Sequence, residues 1–331
     1  MNWLSDEAIS RLRAASALPD LAGTRYRLIQ RIGSGGMGVV YLAEDATLGR
    51  RVALKILDFP DASGELATRL LREARILASL EHPGIVPVHD AGTFAGGRVF
   101  YAMKFVEGRS LDHLDARKDM LFDRLRIFQR ICETVAFAHA RGVLHRDLKP
   151  ANVMVGSFGE VLVMDWGVAK ILRSTPLAGQ QSQSGGDPTQ GNESPSLTQS
   201  ETAHGAILGT EGYLSPEQAR GEVDNLDARS DIFSLGAILQ FLLTNISSDT
   251  PPRPLTAIVR KAMALDRDNR YDSSLALGQD IGNYLHGVPV FAYPENVFRK
   301  LARWGSRYRL AIVLVLTYLV ARALLLLWFR H

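Results

Sequence analysis

Glycines at 33, 35 and 38 stand in the run Gly33-Ser34-Gly35-Gly36-Met37-Gly38-Val39-Val40. Residues without side chains let a hairpin backbone close over phosphates unobstructed. The same spacing fits a dinucleotide fold. Here strand-like segments flank the run, residues 26–32 and 39–43, and no helix opens at the last glycine. That context argues against a dinucleotide site.

A lysine follows in Val52-Ala53-Leu54-Lys55. In a strand, Ala53, Lys55 and Leu57 share one face. A small residue there leaves room for a base, and the lysine can reach phosphates. Taken alone, a strand lysine is more often a solvated edge charge. Next comes the helical stretch ELATRLLREARILASL, with an apolar stripe of Leu66, Leu70, Leu77 and Leu80. Glu73 falls on that stripe. A carboxylate on a packing face needs a cation, and Lys55 is the natural partner. The bland alternative is a helix-edge glutamate with its head in water.

Two further groups are His145-Arg146-Asp147-Leu148-Lys149-Pro150-Ala151-Asn152 and, beyond it, Asp165-Trp166-Gly167. The order glycine loop, VALK, helix glutamate, HRDLKPAN and D-x-G resembles the protein-kinase signature set. The resemblance covers residues 26–288, and the wording is most similar to the membrane-anchored Ser/Thr protein kinases of bacteria. It implies an α+β, two-lobed fold: a small antiparallel-sheet lobe with one helix, and a large, mainly helical lobe.

The resemblance also implies roles. ATP would lie against Ile32, Gly33, Ser34, Gly35, Gly36 and Gly38, with Val40, Ala53 and Met154 around the base. Met103 would stand at the back of the adenine pocket, and Lys104 to Val106 would form the hinge. Lys55 would hold the α/β-phosphates while paired to Glu73. Asp147 would accept the substrate hydroxyl proton, and Lys149 would steady the γ-phosphate and mark Ser/Thr specificity. Asn152 and Asp165 would hold Mg²⁺, or Mn²⁺ in its place. Glu217, in GTEGYLSPE, would pair with Arg270, and Asp231 would anchor the catalytic loop. His145 is expected to be structural.

The chain departs from the family in three places. Trp166 replaces the usual Phe, and its N–H needs a partner if buried. The stretch from Asp165 to Glu217 is long, because residues 174–205 form a Ser/Gln-rich insert of low complexity. Arg146 resembles the arginine of kinases switched on by loop phosphorylation, and Thr198, Ser200, Thr202 and Thr210 are the candidate phosphosites. Thr210 has a second reading, as a structural hydroxyl touching Asp147 and Lys149. Finally, only residues 246–253 separate a helix ending near Thr244 from one over residues 255–265. The family normally places a further helix there, one that docks substrates and partners.

Around these motifs, the 331 residues are 46% hydrophobic and 22% charged, ordinary globular usage that excludes wholesale disorder. A single cysteine, Cys132, excludes a disulfide framework. Its helical stripe, Leu125, Phe128, Cys132, Val135 and His139, predicts a buried thiol. Charge is unevenly placed. Residues 1–295 carry 31 basic against 35 acidic side chains, net −4, and the remainder carries seven basic and no acidic ones. The positive charge belongs to the tail, which argues against nucleic acid as a partner of the main body.

That tail leads into LAIVLVLTYLVARALLLLWF, residues 310–329. Twenty helical residues span about 30 Å, the thickness of a bilayer core. The apolar side chains favour insertion by roughly 6 kcal/mol, against a cost of about 3 for Arg322. Residues 289–309 form a basic juxtamembrane segment with Arg299, Lys300, Arg303, Arg307 and Arg309, which puts that side in the cytoplasm. We therefore expect a single-pass protein of the cell (inner) membrane, its kinase domain cytoplasmic and its C-terminus on the far side. Residues 1–25 read as a short amphipathic segment, and nothing near Met1 resembles a signal peptide. Only two residues follow the span, so no external sensor domain is expected.

The expected activity is phosphorylation of Ser or Thr on protein substrates, with autophosphorylation of the activation loop. A membrane-tethered pseudokinase scaffold is the main alternative, motivated by the short 246–253 connection. A small-molecule kinase on the same fold is a lesser one. Family analogy also allows a homodimer through the small lobe.

Overall fold

The computed structural model describes residues 19, 21, 23–35, 38–57, 64–94, 97–114, 120–166, 170–171, 211–222, 226–244 and 250–294, with isolated positions from 313 to 328. Among these, the chain forms a sheet lobe and a helical lobe.

The small lobe is an antiparallel sheet in the order β1-β2-β3-β5-β4. Its strands are β1 (Tyr26–Gly35), β2 (Gly38–Asp45), β3 (Arg50–Ile56), β4 (Val88–Thr93) and β5 (Val99–Lys104), with helix α1 (Glu65–Ser79) between β3 and β4. Alternation along β3 divides its side chains between two cores. Val52, Leu54 and Ile56 join Tyr26, Val39 and Phe100 on the outer face. Ala53 and Leu57 join Leu70, Ala74 and Leu77 of α1 on the inner face. Lys55 therefore faces inward, as the face-sharing argument expected.

A glycine inside a strand-like run is an ordinary mark of a turn or a bulge, but Gly92 lies within β4, opposite Phe100. A Cβ there would come within 3.2 Å of the Phe100 ring. The glycine makes room for an aromatic side chain and does not bend the backbone.

The large lobe begins at β6 (Gly108–Ser110) and is dominated by helices α2 (Leu121–Ala140), α3 (Pro216–Ala219), α4 (Ala228–Thr244), α5 (Arg253–Ala262) and α6 (Ser274–Leu285). Between α2 and α3 lie the short strands β7 (Val143–Leu144), β8 (Val153–Gly156), β9 (Val161–Val163) and β10 (Lys170–Ile171). Twelve of the seventeen residues of α4 are buried, which makes it the axis of this lobe. Cys132 is fully buried on α2, and burial pushes its thiol well up, so it is an unreactive core residue.

Eight residues separate α4 from α5, in keeping with the short connection read from the sequence. Helix α5 runs from Arg253 to Ala262, two residues earlier at its start than expected, because Pro254 is accommodated in its first turn. It also ends earlier, and Leu265 beyond it is 80% exposed. The two helices touch closely at Gly236, where a Cβ would lie 2.8 Å from that of Ala262.

Beyond α6 the chain is clamped by Asp280, whose side chain is buried. Its carboxylate accepts the Tyr271 hydroxyl at 2.7 Å and the backbone N–H groups of Phe291 and Ala292 at 2.7 and 3.0 Å. Residues 1–18, the whole 174–205 insert with its candidate phosphosites Thr198, Ser200 and Thr202, and also Gly36 and Thr210, lie outside the described residues. Of residues 310–329, Val313–Val315, Thr317–Leu319, Arg322 and Trp328 are described, and they are helical and exposed. Among the described residues, no helix is long and apolar enough to cross a membrane.

Candidate active site

The site forms where the inner face of the sheet meets the loops around β7 to β9. Strand β3 presents Lys55, whose Nζ donates to both oxygens of Glu73, at 2.8 and 2.9 Å. Glu73 comes from the packing face of α1, and its side chain is completely buried. Lys55 also donates to Asp165 Oδ1 at 3.0 Å, just past β9. One ammonium thus ties the sheet and α1 to the large lobe.

Electrostatics explains why a buried lysine stays charged. Desolvation pulls its pKa down, but the Glu73 and Asp165 carboxylates more than offset this and leave it raised. Burial pushes the Glu73 carboxyl up, opposed by the charge and hydrogen bonds of Lys55. Asp165 is also desolvated, yet Lys55 outweighs that effect, with smaller help from His145 and Lys149, and holds its carboxyl down. The Asp165 side chain is half exposed, so an oxygen remains open to a ligand.

Tyr101, opposite Lys55 across the β3–β5 ladder, donates its hydroxyl to Glu73 Oε1 at 2.8 Å. The sequence reading missed this partner. Strand alternation places Tyr101 on the inner face beside Lys55, which was the available signal.

The catalytic-loop candidates lie between β7 and β8. Lys149 Nζ donates to Asp147 Oδ2 at 2.8 Å. Asn152 Nδ2 donates to the Asp147 carbonyl at 2.8 Å and to its Oδ2 at 3.2 Å. The Asn152 amide oxygen is thereby turned away from Asp147. His145 is fully buried. Its Nε2 meets the Met164 carbonyl at 2.9 Å, and its Nδ1 accepts the Asp147 N–H at 3.3 Å. Both ring nitrogens are thus engaged, as a structural role requires.

Asp231, at the start of α4, holds this loop from below. It accepts the backbone N–H groups of His145 and Arg146 at 2.9 and 2.8 Å, and meets His139 Nε2 at 2.8 Å. Burial pushes the Asp231 carboxyl up, but these contacts, led by His139, pull it below its ordinary value. The expected structural roles of Asp231 and His145 have a common geometric basis in this cluster, which His139 joins.

Arg146 and Asp165 have φ of 70° and 58°. They are the described non-glycine residues with positive φ, a conformation that L-residues adopt at a cost and that functional sites often retain. Trp166, completely buried, finds the partner its N–H needs: it donates to the Val163 carbonyl at 3.2 Å, and its ring lies 4.6 Å from His145.

On the far side of the loop, Glu217 and Arg270 form the expected buried pair, bidentate at 2.7 and 2.8 Å. Ser230 donates to Glu217 as well. Desolvation opposes these contacts but loses, and the Glu217 carboxyl falls to about 2. Ser215 caps α3 in a reciprocal box with Gln218, whose amide donates to the Arg146 carbonyl at 2.8 Å. The S-x-x-Q spacing signalled that cap in the sequence. Its link to Arg146 was not legible there.

The nucleotide-facing candidates fall into two groups. Ala53 and Met103 are directly opposite in the β3–β5 ladder, and Val40 packs against the same cluster. Val106 is buried just beyond β5, Lys104 is exposed with its backbone N–H on the Pro87 carbonyl, and Met154 is half-buried on β8. In the glycine run, Gly33, Ser34 and Gly35 pair with Val40, Val39 and Gly38 across the hairpin, and Ile32 is exposed. Gly38 has a structural reason of its own: a Cβ would sit 2.3 Å from the Ile56 carbonyl oxygen.

A hairpin of glycines, a lysine–glutamate pair on the inner face of the same sheet, and an aspartate beside a lysine and an asparagine define a protein kinase. Residues 26–253 match the Protein kinase domain family, and the chain belongs to it. The packed fold continues past that match through α5 and α6.

The chain is 35% identical over 311 residues to the Serine/threonine-protein kinase PknD of Protochlamydia amoebophila, covering 79% of this chain and 30% of that protein. It is 36% identical over 316 residues to the Serine/threonine-protein kinase PknD of Chlamydia trachomatis, covering 83% and 33%. It thus spans about a third of the length of these curated relatives. Among solved structures it resembles the Mycobacterium tuberculosis PknI kinase domain, with a TM-score of 0.54 at 25% identity, over 81% of this chain and 99% of that one.

Proposed function

We propose that this chain is an ATP-dependent Ser/Thr protein kinase that phosphorylates its own activation loop and works at the cytoplasmic face of the membrane that residues 310–329 span. The observation that carries the catalytic reading is the position of Lys55, bonded at once to Glu73 and Asp165. A scaffold needs no charged lysine held at the junction of two lobes.

The residues present fit Mg·ATP. Asn152 keeps its amide oxygen free of Asp147, and Asp165 keeps part of its carboxylate exposed. Both are hard oxygen donors of the kind Mg²⁺ takes, with phosphate and water completing the shell. Among the described residues no cluster of three or more His, Cys, Asp or Glu could hold a metal unaided, which suits a cation brought with its nucleotide. When bound, Mg·ATP supplies the transferable phosphoryl group and neutralises charge on it.

The protein's own part is positioning. Lys55 orients the α/β-phosphates, and Glu73 keeps Lys55 from swinging away. Gly33, Gly35 and Gly38 close over the phosphates. Asp147 receives the hydroxyl proton of the incoming Ser or Thr, and Lys149, already beside Asp147, meets the charge on the γ-phosphate. Val40, Ala53, Met103 and Met154 enclose the base, and the chain at Lys104 to Val106 pairs with its edge.

The test is transfer of labelled γ-phosphate by the full chain in detergent, beside an Asp147→Asn control, with the sites mapped by mass spectrometry. Label confined to the unmutated chain, at Thr198, Ser200, Thr202 or Thr210, is the expected result. The eight-residue α4–α5 connection favours one competing reading, the membrane-tethered scaffold. No transfer to itself or to a generic protein, in detergent and in bilayers alike, would establish that reading instead.

A further inference from the structure

Where the chain leaves the last helix, it exposes a cluster of apolar residues. Gly287, Val288 and Pro289 are exposed, Val290 is buried in the main core, and Phe291 is 84% exposed. Ordinary surfaces carry scattered apolar residues without consequence. Here three of them lie within four positions, on a segment that is not free to fold them away. Asp280 fixes the backbone N–H groups of Phe291 and Ala292, and Val288 N–H donates to the Asn283 carbonyl at 2.8 Å. The Phe291 ring is therefore presented outward by a clamped backbone.

The charge around it is positive. Lys261 Nζ lies 5.8 Å from the centre of the Phe291 ring and 4.5 Å from that of Tyr271. Asp280, the carboxylate beneath the tip, is taken up by the clamp. An exposed aromatic ring beside an ammonium group is the chemistry of a bilayer interface, where rings sit at headgroup level and cations meet anionic lipid.

Chain connectivity selects the same occupant. Fifteen residues, 295–309, join Pro294 to the apolar stretch, and they include Arg299, Lys300, Arg303, Arg307 and Arg309. Even fully extended they reach no more than about 50 Å. The clamped tip is thus the part of the folded domain tethered nearest to the bilayer, and the tether itself is drawn to anionic lipid.

We infer that the Val288–Phe291 tip, with Lys261, is a second membrane contact that seats the kinase domain on the anionic headgroups of the leaflet holding its anchor. This rests on the anchored reading proposed above. Tether alone leaves the domain free to tumble; the tip restricts which face, and so which part of the cleft, is turned to the membrane.

The experiment uses the full chain in two nanodiscs, one containing phosphatidylglycerol and one of phosphatidylcholine only. A fluorophore is placed by Val288→Cys, and in a separate protein by Leu48→Cys at the exposed β2–β3 turn. Cys132 is buried and takes no label. Quenching by brominated lipid reads the depth of each probe. The expected result is strong quenching at 288 and little at 48. Quenching at 288 should be weaker by about fivefold in the neutral disc, the effect of one basic side chain at an anionic surface, and weaker again in Phe291→Ser. Co-elution of the chain with discs, but equal quenching at 288 and 48 or no response to lipid charge and Phe291→Ser, overturns the inference and leaves the anchor standing. A chain that does not co-elute with either disc overturns the anchored reading and this contact with it.

Discussion

Asp231 accepts the N–H of Arg146 at 2.8 Å while Arg146 sits at φ 70°, a backbone conformation it would not hold unaided. The second oxygen of Asp231 does the same for His145. A buried carboxylate on one helix thus sets the backbone from which Asp147 projects. Asp231→Asn can offer one acceptor oxygen where two are used, and turns an amide N–H toward a donor. Since a displacement of about 1 Å at a reacting group costs roughly 100-fold, kcat should fall by about that factor. KM for ATP should change little, because Asp231 is remote from the Lys55 side of the cleft. Steady-state kinetics on a peptide acceptor separate the two parameters.

The Lys55–Glu73 pair makes a different prediction. Lys55→Met leaves Glu73 buried with only Tyr101 as a donor, and breaking one side of a buried pair costs about 3–5 kcal/mol. Adding Glu73→Gln should recover most of that stability and none of the phosphoryl transfer. Chemical denaturation of both variants, beside γ-phosphate transfer, checks the pairing. A double variant no more stable than Lys55→Met would show that the pair is not a thermodynamic unit.

Trp166→Phe restores the residue usual in the family and should nonetheless destabilise this chain. It removes the bond to Val163, leaves that carbonyl without the indole donor, and vacates space beside His145. The expected cost is about 2 kcal/mol, read as a lower Tm. An unchanged or higher Tm would mean that the pocket relaxes around the smaller ring.

The Glu217–Arg270 bond should be visible in acid. A carboxyl whose folded pKa is depressed to about 2, against 4.5 ordinarily, stabilises the fold fully above 4.5. That contribution shrinks as pH falls from 4.5 toward 2, because the unfolded chain takes up the proton first. The span corresponds to roughly 3 kcal/mol. Glu217→Gln should therefore lose stability at neutral pH and show a flatter decline between pH 5 and 2.5 than the parent chain. Urea midpoints measured across that range decide it.

Much of the site was legible because its residues break local rules. Glu73 on an apolar stripe and a buried tryptophan N–H each demand a partner, and the structure supplies Lys55 and Val163. Other features left no such trace. Strands β6 to β10 have two to four residues each, too short for alternation to show, so the region after Leu111 reads as helical. Gly92 looks like a turn because nothing local reveals the Phe100 ring across the sheet. The partners of Tyr101 and Asp280 are set by cross-strand register and by chain folding back over α6. The glycine at 38 was read for phosphate access, yet the crowding at Ile56 would require it in a sheet with no ligand at all.

The Asp280 clamp also decides how the domain answers to force. A pull on the chain beyond Pro294 does not first peel away the last helix. It loads the two backbone hydrogen bonds of Phe291 and Ala292 side by side, together with the buried Val290 side chain, before any tension reaches the C-terminal end of α6 at Leu285. Groups loaded in parallel must fail together, whereas a ladder loaded at one end fails one rung at a time. On the anchored reading proposed above, drag from a moving bilayer would thus be borne by this latch, in a different part of the fold from Lys55 and Asp147, before it could disturb the geometry of the site.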